Sequence, residues 1–301
     1  MGNIVIAGGN GFIGRALVKR SLEEGDRVTI LTRGRESKEG MVRELHWDGQ
    51  TLGDWAQALE GADMLINLAG KSVDCRYNAK NKRAILDSRV EPTRVLGEAV
   101  QRAERPPKLW INASTATIYR HAEDRPMDEE TGEIGEGFSV DVATSWEKAF
   151  FEQSYPGGRR VALRSAIVLG KEGGVFKPFW TLVRMGLGGV QGNGRQIFSW
   201  VHEDDLFRII RFIQAGTLEG VVNVSSPGPI SNRELMATFR KALHMPFGLP
   251  LPGWLIAVGA WIARTEPELL LKSRWVVPTK LLKAGYRFQH STLGEALTSL
   301  A

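Results

Sequence analysis

Cysteine is nearly absent from this 301-residue sequence, with Cys75 the single example. One thiol forms no internal disulfide and builds no zinc site unaided, so a reducing compartment, the cytoplasm, is the expected location. The five histidines show no metal-ligand spacing, and no metal is expected. Long runs of one charge are also missing. Basic residues come in twos and threes, as at Arg33 and Arg35, Arg102 and Arg105, and Arg159 and Arg160, without aromatic interleaving. The +5 surplus, 39 Lys+Arg against 34 Asp+Glu, therefore forms no track for nucleic acid, and none is expected as a partner. The uncharged stretch 245–263 is broken by Pro246, Pro250 and Pro252. Its clean apolar helix, about 254–263, falls short of the roughly 20 residues a bilayer requires, so no stable membrane insertion is expected. The plain reading of that helix is burial; the sharper one is contact with a partner or a membrane surface. Met1-Gly2-Asn3-Ile4-Val5-Ile6 begins as a strand with no basic region, and no targeting signal is read there.

What is present is an ordinary globular composition, 43% hydrophobic and 24% charged, with 34 glycines and 13 prolines. The length suits two domains, or one α/β domain with an appendage. Short β-branched runs alternate with helical patterns through the first half. Strands are predicted at 3–7, 27–32, 43–47, 63–68, 108–113 and 159–168, with helices over 11–24, 54–59, 78–103 and 139–154. That order predicts a Rossmann-type, doubly wound parallel sheet over residues 1–169. A smaller mixed α/β substrate region follows over 170–301, some segments of which can return to the first domain.

Directly after the first strand stands Gly8-Gly9-Asn10-Gly11-Phe12-Ile13-Gly14. Glycines there allow a tight turn and close approach of backbone to a pyrophosphate, and the helix that follows offers free N–H groups. The second predicted strand runs into Thr32-Arg33 rather than the acid that would hold the ribose 2′-hydroxyl of NAD. A guanidinium in that place pairs with the 2′-phosphate of NADP, so NADP is expected over NAD.

These residues resemble the extended short-chain dehydrogenase/reductase superfamily, whose members include sugar-nucleotide epimerases and dehydratases. Leu68-Ala69-Gly70, after Asn67, is similar to its cofactor-lining segment. The run Ala113 to Tyr119 is similar to its serine-rich segment, which implies cofactor contact at Ser114 and a catalytic hydroxyl at Thr115. More narrowly, the chain resembles a branch called epimerase-family proteins, with a C-terminal domain of unknown function. Its features appear as Arg76, Lys82, Ser88-Arg89, Trp146-Glu147, Arg164, Gly192-Asn193-Gly194, Trp200-Val201-His202 and Gly285-Tyr286-Arg287-Phe288. The resemblance implies a small polar, sugar-nucleotide-like substrate and leaves a homodimer through two helices open.

The same resemblance calls for a Tyr-x-x-x-Lys pair, in which lysine lowers the tyrosine pKa for proton exchange. It is missing: four residues after Tyr77, Tyr119, Tyr155 and Tyr286 stand Asn81, Glu123, Arg159 and His290. In the register set by Ser145, Val142 and Trp146 take the two places and Lys148 should face away; a two-residue shift puts Thr144 and Lys148 there instead, and neither register restores a phenol. Tyr119 is the candidate substitute acid, against packing at its strand end. Arg76, Lys82, Arg164 and His202 are candidate substrate contacts. For Arg164 the alternative is an internal ion pair, and for His202 it is a helix cap. Two functions follow as expectations: an NADP(H)-dependent oxidoreductase or epimerase-like enzyme, or a non-catalytic NADP-binding sensor or assembly protein.

Overall fold

The computed structural model describes residues 1–155, 157–256 and 272–301. Most of the predicted helix at 254–263 lies outside the described residues.

Every second residue of β1 (Asn3–Ala7) points to one face of the sheet, and both faces are buried. Ile4 and Ile6 pack on one side and Val5 and Ala7 on the other. A strand flanked by helices on both faces reads as an unbroken apolar run, which is why this segment shows no polar alternation. From β1 the chain winds outward through α1 (Phe12–Glu23), β2 (Arg27–Thr32), β3 (Ser37–Glu39) and β4 (Val42–His46). It then crosses to the other side of β1 with β5 (Met64–Asn67), α2 (Ala79–Arg102), β6 (Leu109–Thr115), α3 (Phe138–Phe151) and β7 (Arg159–Ser165). Helix α1 covers one face, α2 and α3 the other.

At Ala166 the chain leaves this sheet without a loop, so the predicted strand 159–168 is two strands. β8 (Ile167–Gly170) pairs with β9 (Gly173–Gly174) and β11 (Trp200–His202) in a second sheet. Between them lie α4 (Phe176–Arg184) and β10 (Ile197–Phe198). Helix α5 (Glu203–Ala215) then packs beside α1, and β12 (Gly220–Val224) rejoins the main sheet next to β7. The main sheet has eight strands in the order β12-β7-β6-β5-β1-β2-β4-β3, all parallel except β3. Residues 203–224 thus return to the first unit across the expected boundary at 169. Strand β13 (Ile230–Ser231), α6 (Asn232–Ala242), α7 (Thr279–Lys283) and α8 (Leu293–Leu300) complete the described chain. Phe176, Phe179, Trp200, Phe239 and Leu297 form a separate apolar core there. Among the described residues no helix is long and apolar enough to cross a membrane.

Candidate nucleotide-binding site

Strand order reverses between β1 and β5, and a crevice opens at their carboxyl ends, where such sheets bind ligands. The glycine turn forms its floor. Gly8 has φ +80°, a left-handed conformation that glycine adopts freely. A Cβ on Gly14 would stand 2.5 Å from the Gly9 carbonyl oxygen and 2.6 Å from that of Gly8. Helix α1 therefore starts as close to the turn as backbone permits. Its N-cap, Gly11, supplies no side-chain acceptor, and no acid occupies its first turn. The N–H groups of Phe12, Ile13 and Gly14 remain for an anion. The Phe12 ring turns away from the cleft onto Gly170 and Gly173, where a Cβ would approach it to 2.6 and 2.5 Å. Phe12 and Ile13 contribute through backbone, and Phe12 locks the turn to the second sheet.

Asn10 ties the turn to the rim, its Nδ2 donating to Thr32 Oγ1 and Glu44 Oε1 at 3.2 Å each. Thr32 Oγ1 also accepts from Gly34 N at 3.1 Å, fixing the chain as it leaves β2. Arg33, between them, is exposed and has no hydrogen bond or ion pair among the described residues. The cleft has a volume of about 1260 Å³. Its far wall is Trp47-Asp48-Gly49-Gln50, beyond β4, facing Glu91 and Pro92 of α2. That wall was not foreseen from sequence; the signal is Trp47 N, which donates to Thr32 O at 2.8 Å and carries the β2–β4 register past both strands.

Leu68, Ala69 and Gly70 form the opposite side of the cleft, held from beneath by a buried amide. Asn67 Oδ1 accepts from Ala69 N at 3.0 Å, and its Nδ2 donates to Thr93 Oγ1 at 3.0 Å and Asn112 Oδ1 at 2.7 Å. Trp146 Nε1 donates to the same Thr93 oxygen at 3.0 Å. A fully satisfied network of this kind rigidifies the segment above it.

Val142 and Trp146, the two places in the register set by Ser145, are both buried. Lys148 points into solvent toward Glu152. Ser114 lies against α3 rather than free at the cofactor, its Oγ donating to Glu147 Oε1 at 2.6 Å. The two Glu147 oxygens also accept from Arg164, Nε at 2.8 Å and Nη2 at 2.7 Å. Arg164 is thus an internal ion-pair residue rather than a substrate contact. Its guanidinium, pulled down by burial, is lifted well above its ordinary range by Glu147. Tyr119 belongs to this network too. Its hydroxyl donates to Asn223 Oδ1 and accepts from Arg164 Nη1, both at 2.9 Å. The side chain is only 2% exposed, and burial pushes the phenol pKa up against the pull of Arg164. That environment suits a strut and not a proton donor. Thr115, half-buried at the end of β6, accepts from Thr117 N at 3.1 Å, and its hydroxyl proton has no acceptor among the described residues.

Arg76 and Lys82 are exposed near the start of α2, with Lys82 Nζ 5.2 Å from the centre of the Phe138 ring. His202 is buried. It caps α5, Nδ1 accepting from Asp204 N at 3.1 Å, while Nε2 lies 2.9 Å from Ser299 Oγ and the ring stacks on His290. Burial and then repulsion from His290 bring its pKa from 6.5 to about 4. Between those values the unfolded chain binds the proton and the native ring does not. The stability owed to neutral His202 is therefore complete above pH 6.5 and lost as pH falls toward 4. We expect a loss on the order of 1–3 kcal/mol between pH 7 and 4.5 that is absent in His202→Asn, which keeps a capping side chain. Urea unfolding at the two pH values checks this; identical pH dependence in both proteins would refute it. Among the described residues no group of three or more His, Cys, Asp or Glu gathers to hold a metal.

The doubly wound sheet, the switch-point crevice and the uncapped helix over a glycine turn define a dinucleotide-binding α/β protein. The model of the NAD dependent epimerase/dehydratase family matches residues 4–225, and that of a domain of unknown function, DUF1731, matches 251–300. The chain belongs to the NAD dependent epimerase/dehydratase family. An epimerase family protein of Mycobacterium bovis is 35% identical over 298 residues, covering 98% of this chain and 96% of that protein. Human epimerase family protein SDR39U1 is 32% identical over 303 residues, 99% of each chain. A crystal structure of human SDR39U1 with NADPH superposes with a TM-score of 0.87 at 31% identity, covering 99% of this chain and 98% of that one.

Proposed function

We propose that this chain binds NADP(H) in the switch-point cleft and exchanges hydride with a carbonyl or carbinol carbon of a small polar, sugar-nucleotide-like substrate beneath the C-terminal region. The observation that carries the reading is the unpaired Arg33 at the end of β2, where the strand's own last residues, Leu31-Thr32, supply no acid to hold a 2′-hydroxyl. NADPH in the human relative supports the same choice. When bound, the dinucleotide supplies the hydride donor or acceptor. The glycine turn and α1 hold its pyrophosphate, Arg33 its 2′-phosphate, and Leu68-Ala69-Gly70 a wall along it. Thr115, with its hydroxyl proton uncommitted, donates a hydrogen bond to the reacting oxygen.

Arg33→Ser is expected to weaken NADPH about 10- to 100-fold while changing NADH less than about threefold, the loss of a charge-assisted pair. Titration calorimetry measures both, and equal losses for the two cofactors would remove the basis of the assignment. Activity is tested by NADPH oxidation across a panel of sugar nucleotides and carbonyl compounds. The second reading, a non-catalytic NADP(H) sensor or assembly protein, is favoured by one observation: buried Val142 and Trp146 in place of the phenol and lysine. NADPH binding without turnover on any panel member selects it.

A further inference from the structure

Helix α2 runs along the cleft. Pro92 meets Gly49 at one end, 3.4 Å from where a Cβ on that glycine would lie, and Ala84 lines the other. The helix rises about 12 Å between them, enough to follow a dinucleotide from one half into the other. Trp47, Arg33 and Gly49 line the cleft at the Pro92 end, which on the NADP(H) reading takes the adenosine half. Ser88, Ala84 and Lys71 line the remainder, and Arg89 lies beside them.

Arg89 is a half-buried cation with no carboxylate against it among the described residues. Its guanidinium is layered between the Trp146 ring, 5.3 Å from Cζ to the centroid, and the backbone at Gly70, where a Cβ would stand 3.2 Å from Cζ. Nη1 donates to Ile85 O at 2.9 Å and reaches Ser88 Oγ at 3.5 Å. Nε and Nη2 have no partner among the described residues, and no carboxylate pairs with the group. Burial pulls its pKa down to about 10. Other inward-facing arginines differ: Arg164 has both Glu147 oxygens, and Arg159 donates to the carbonyls of Ile213, Gln214 and Leu218. A desolvated charge with idle donors is costly to maintain unless a ligand completes it. Two of its neighbours, Gly70 and Ser88, line the cleft.

We propose that Arg89 is a cofactor-binding residue whose open guanidinium edge donates to oxygens on the nicotinamide-ribose half of NADP(H). A Cβ at Gly70 would press on the guanidinium at 3.2 Å and shift it by a few tenths of an ångström. The assignment rests on the NADP(H) reading above. A hydride acceptor bringing its own anion would use the same edge, but dinucleotide affinity would then be indifferent to Arg89.

The test is calorimetric titration of the full chain with NADPH and with 2′,5′-ADP, which carries the adenosine phosphates and lacks the nicotinamide half. Arg89→Met is expected to weaken NADPH about 10-fold or more and to leave 2′,5′-ADP within about twofold. Arg89→Lys should recover part of the loss. If Arg89→Met does not fold, Arg89→Lys decides the matter, with NADPH expected to weaken and 2′,5′-ADP to stay within about twofold. Unchanged NADPH affinity, or equal weakening of both ligands, overturns the assignment. Failure of the unaltered chain to bind either ligand would instead strike the NADP(H) reading, and this proposal with it.

Discussion

Gly14→Ala is expected to weaken NADPH binding at least about 100-fold, or about 2.7 kcal/mol. The added methyl would meet the carbonyl oxygens of Gly9 and Gly8 at 2.5 and 2.6 Å. These are backbone atoms, so no rotamer change relieves the collision. Either the turn opens or α1 retreats, and both withdraw the first-turn N–H groups from a pyrophosphate. Titration calorimetry measures the loss, and circular dichroism shows whether the fold persists. Affinity within threefold of the unaltered chain would mean that the turn is not the binding element.

Arg164→Met is expected to destabilise the protein by about 3–5 kcal/mol, because it strands a buried carboxylate. Glu147 would keep the Ser114 hydroxyl as a donor at 2.6 Å and lose both guanidinium bonds. Tyr119 would lose one partner and keep Asn223. Removing both charges, as Arg164→Met with Glu147→Met, should recover most of the loss, since an apolar pair of similar volume carries no stranded ion. Urea denaturation of the three proteins decides it. A single variant within 1 kcal/mol of the parent, or a double variant less stable than the single, would contradict a pair that acts as a unit.

The reach of each interaction along the chain separates what the sequence disclosed from what it hid. β1, the glycine turn and α1 are adjacent, and their chemistry is written within a few residues: an apolar strand, glycines where a Cβ has no room, then a helix. The missing phenol and lysine were equally legible, because four tyrosines can be checked one by one. Tyr119 and His202, read as a candidate acid and a candidate substrate contact, have observed partners that are remote in sequence. Asn223 is 104 residues from Tyr119, and Ser299 is 97 from His202. A polar residue bound by so distant a partner looks, in sequence, like one awaiting a ligand. Ser114 was obscured in the same way, by Glu147 from a helix 33 residues on. The strand predicted at 159–168 concealed its break because each half carries an apolar run, Val161-Ala162-Leu163 and Ile167-Val168-Leu169, and the two sheets they join are set by β12 and β11 much later in the chain.

The account turns on a guanidinium at the end of β2 choosing a phosphorylated ribose while a bare glycine turn holds the diphosphate. Side-by-side calorimetric titration of the unaltered chain with NADPH and NADH addresses both parts at once. The expected result is saturable binding of NADPH with NADH at least about 10-fold weaker. No heat with NADPH, or NADH bound equally well, would contradict it.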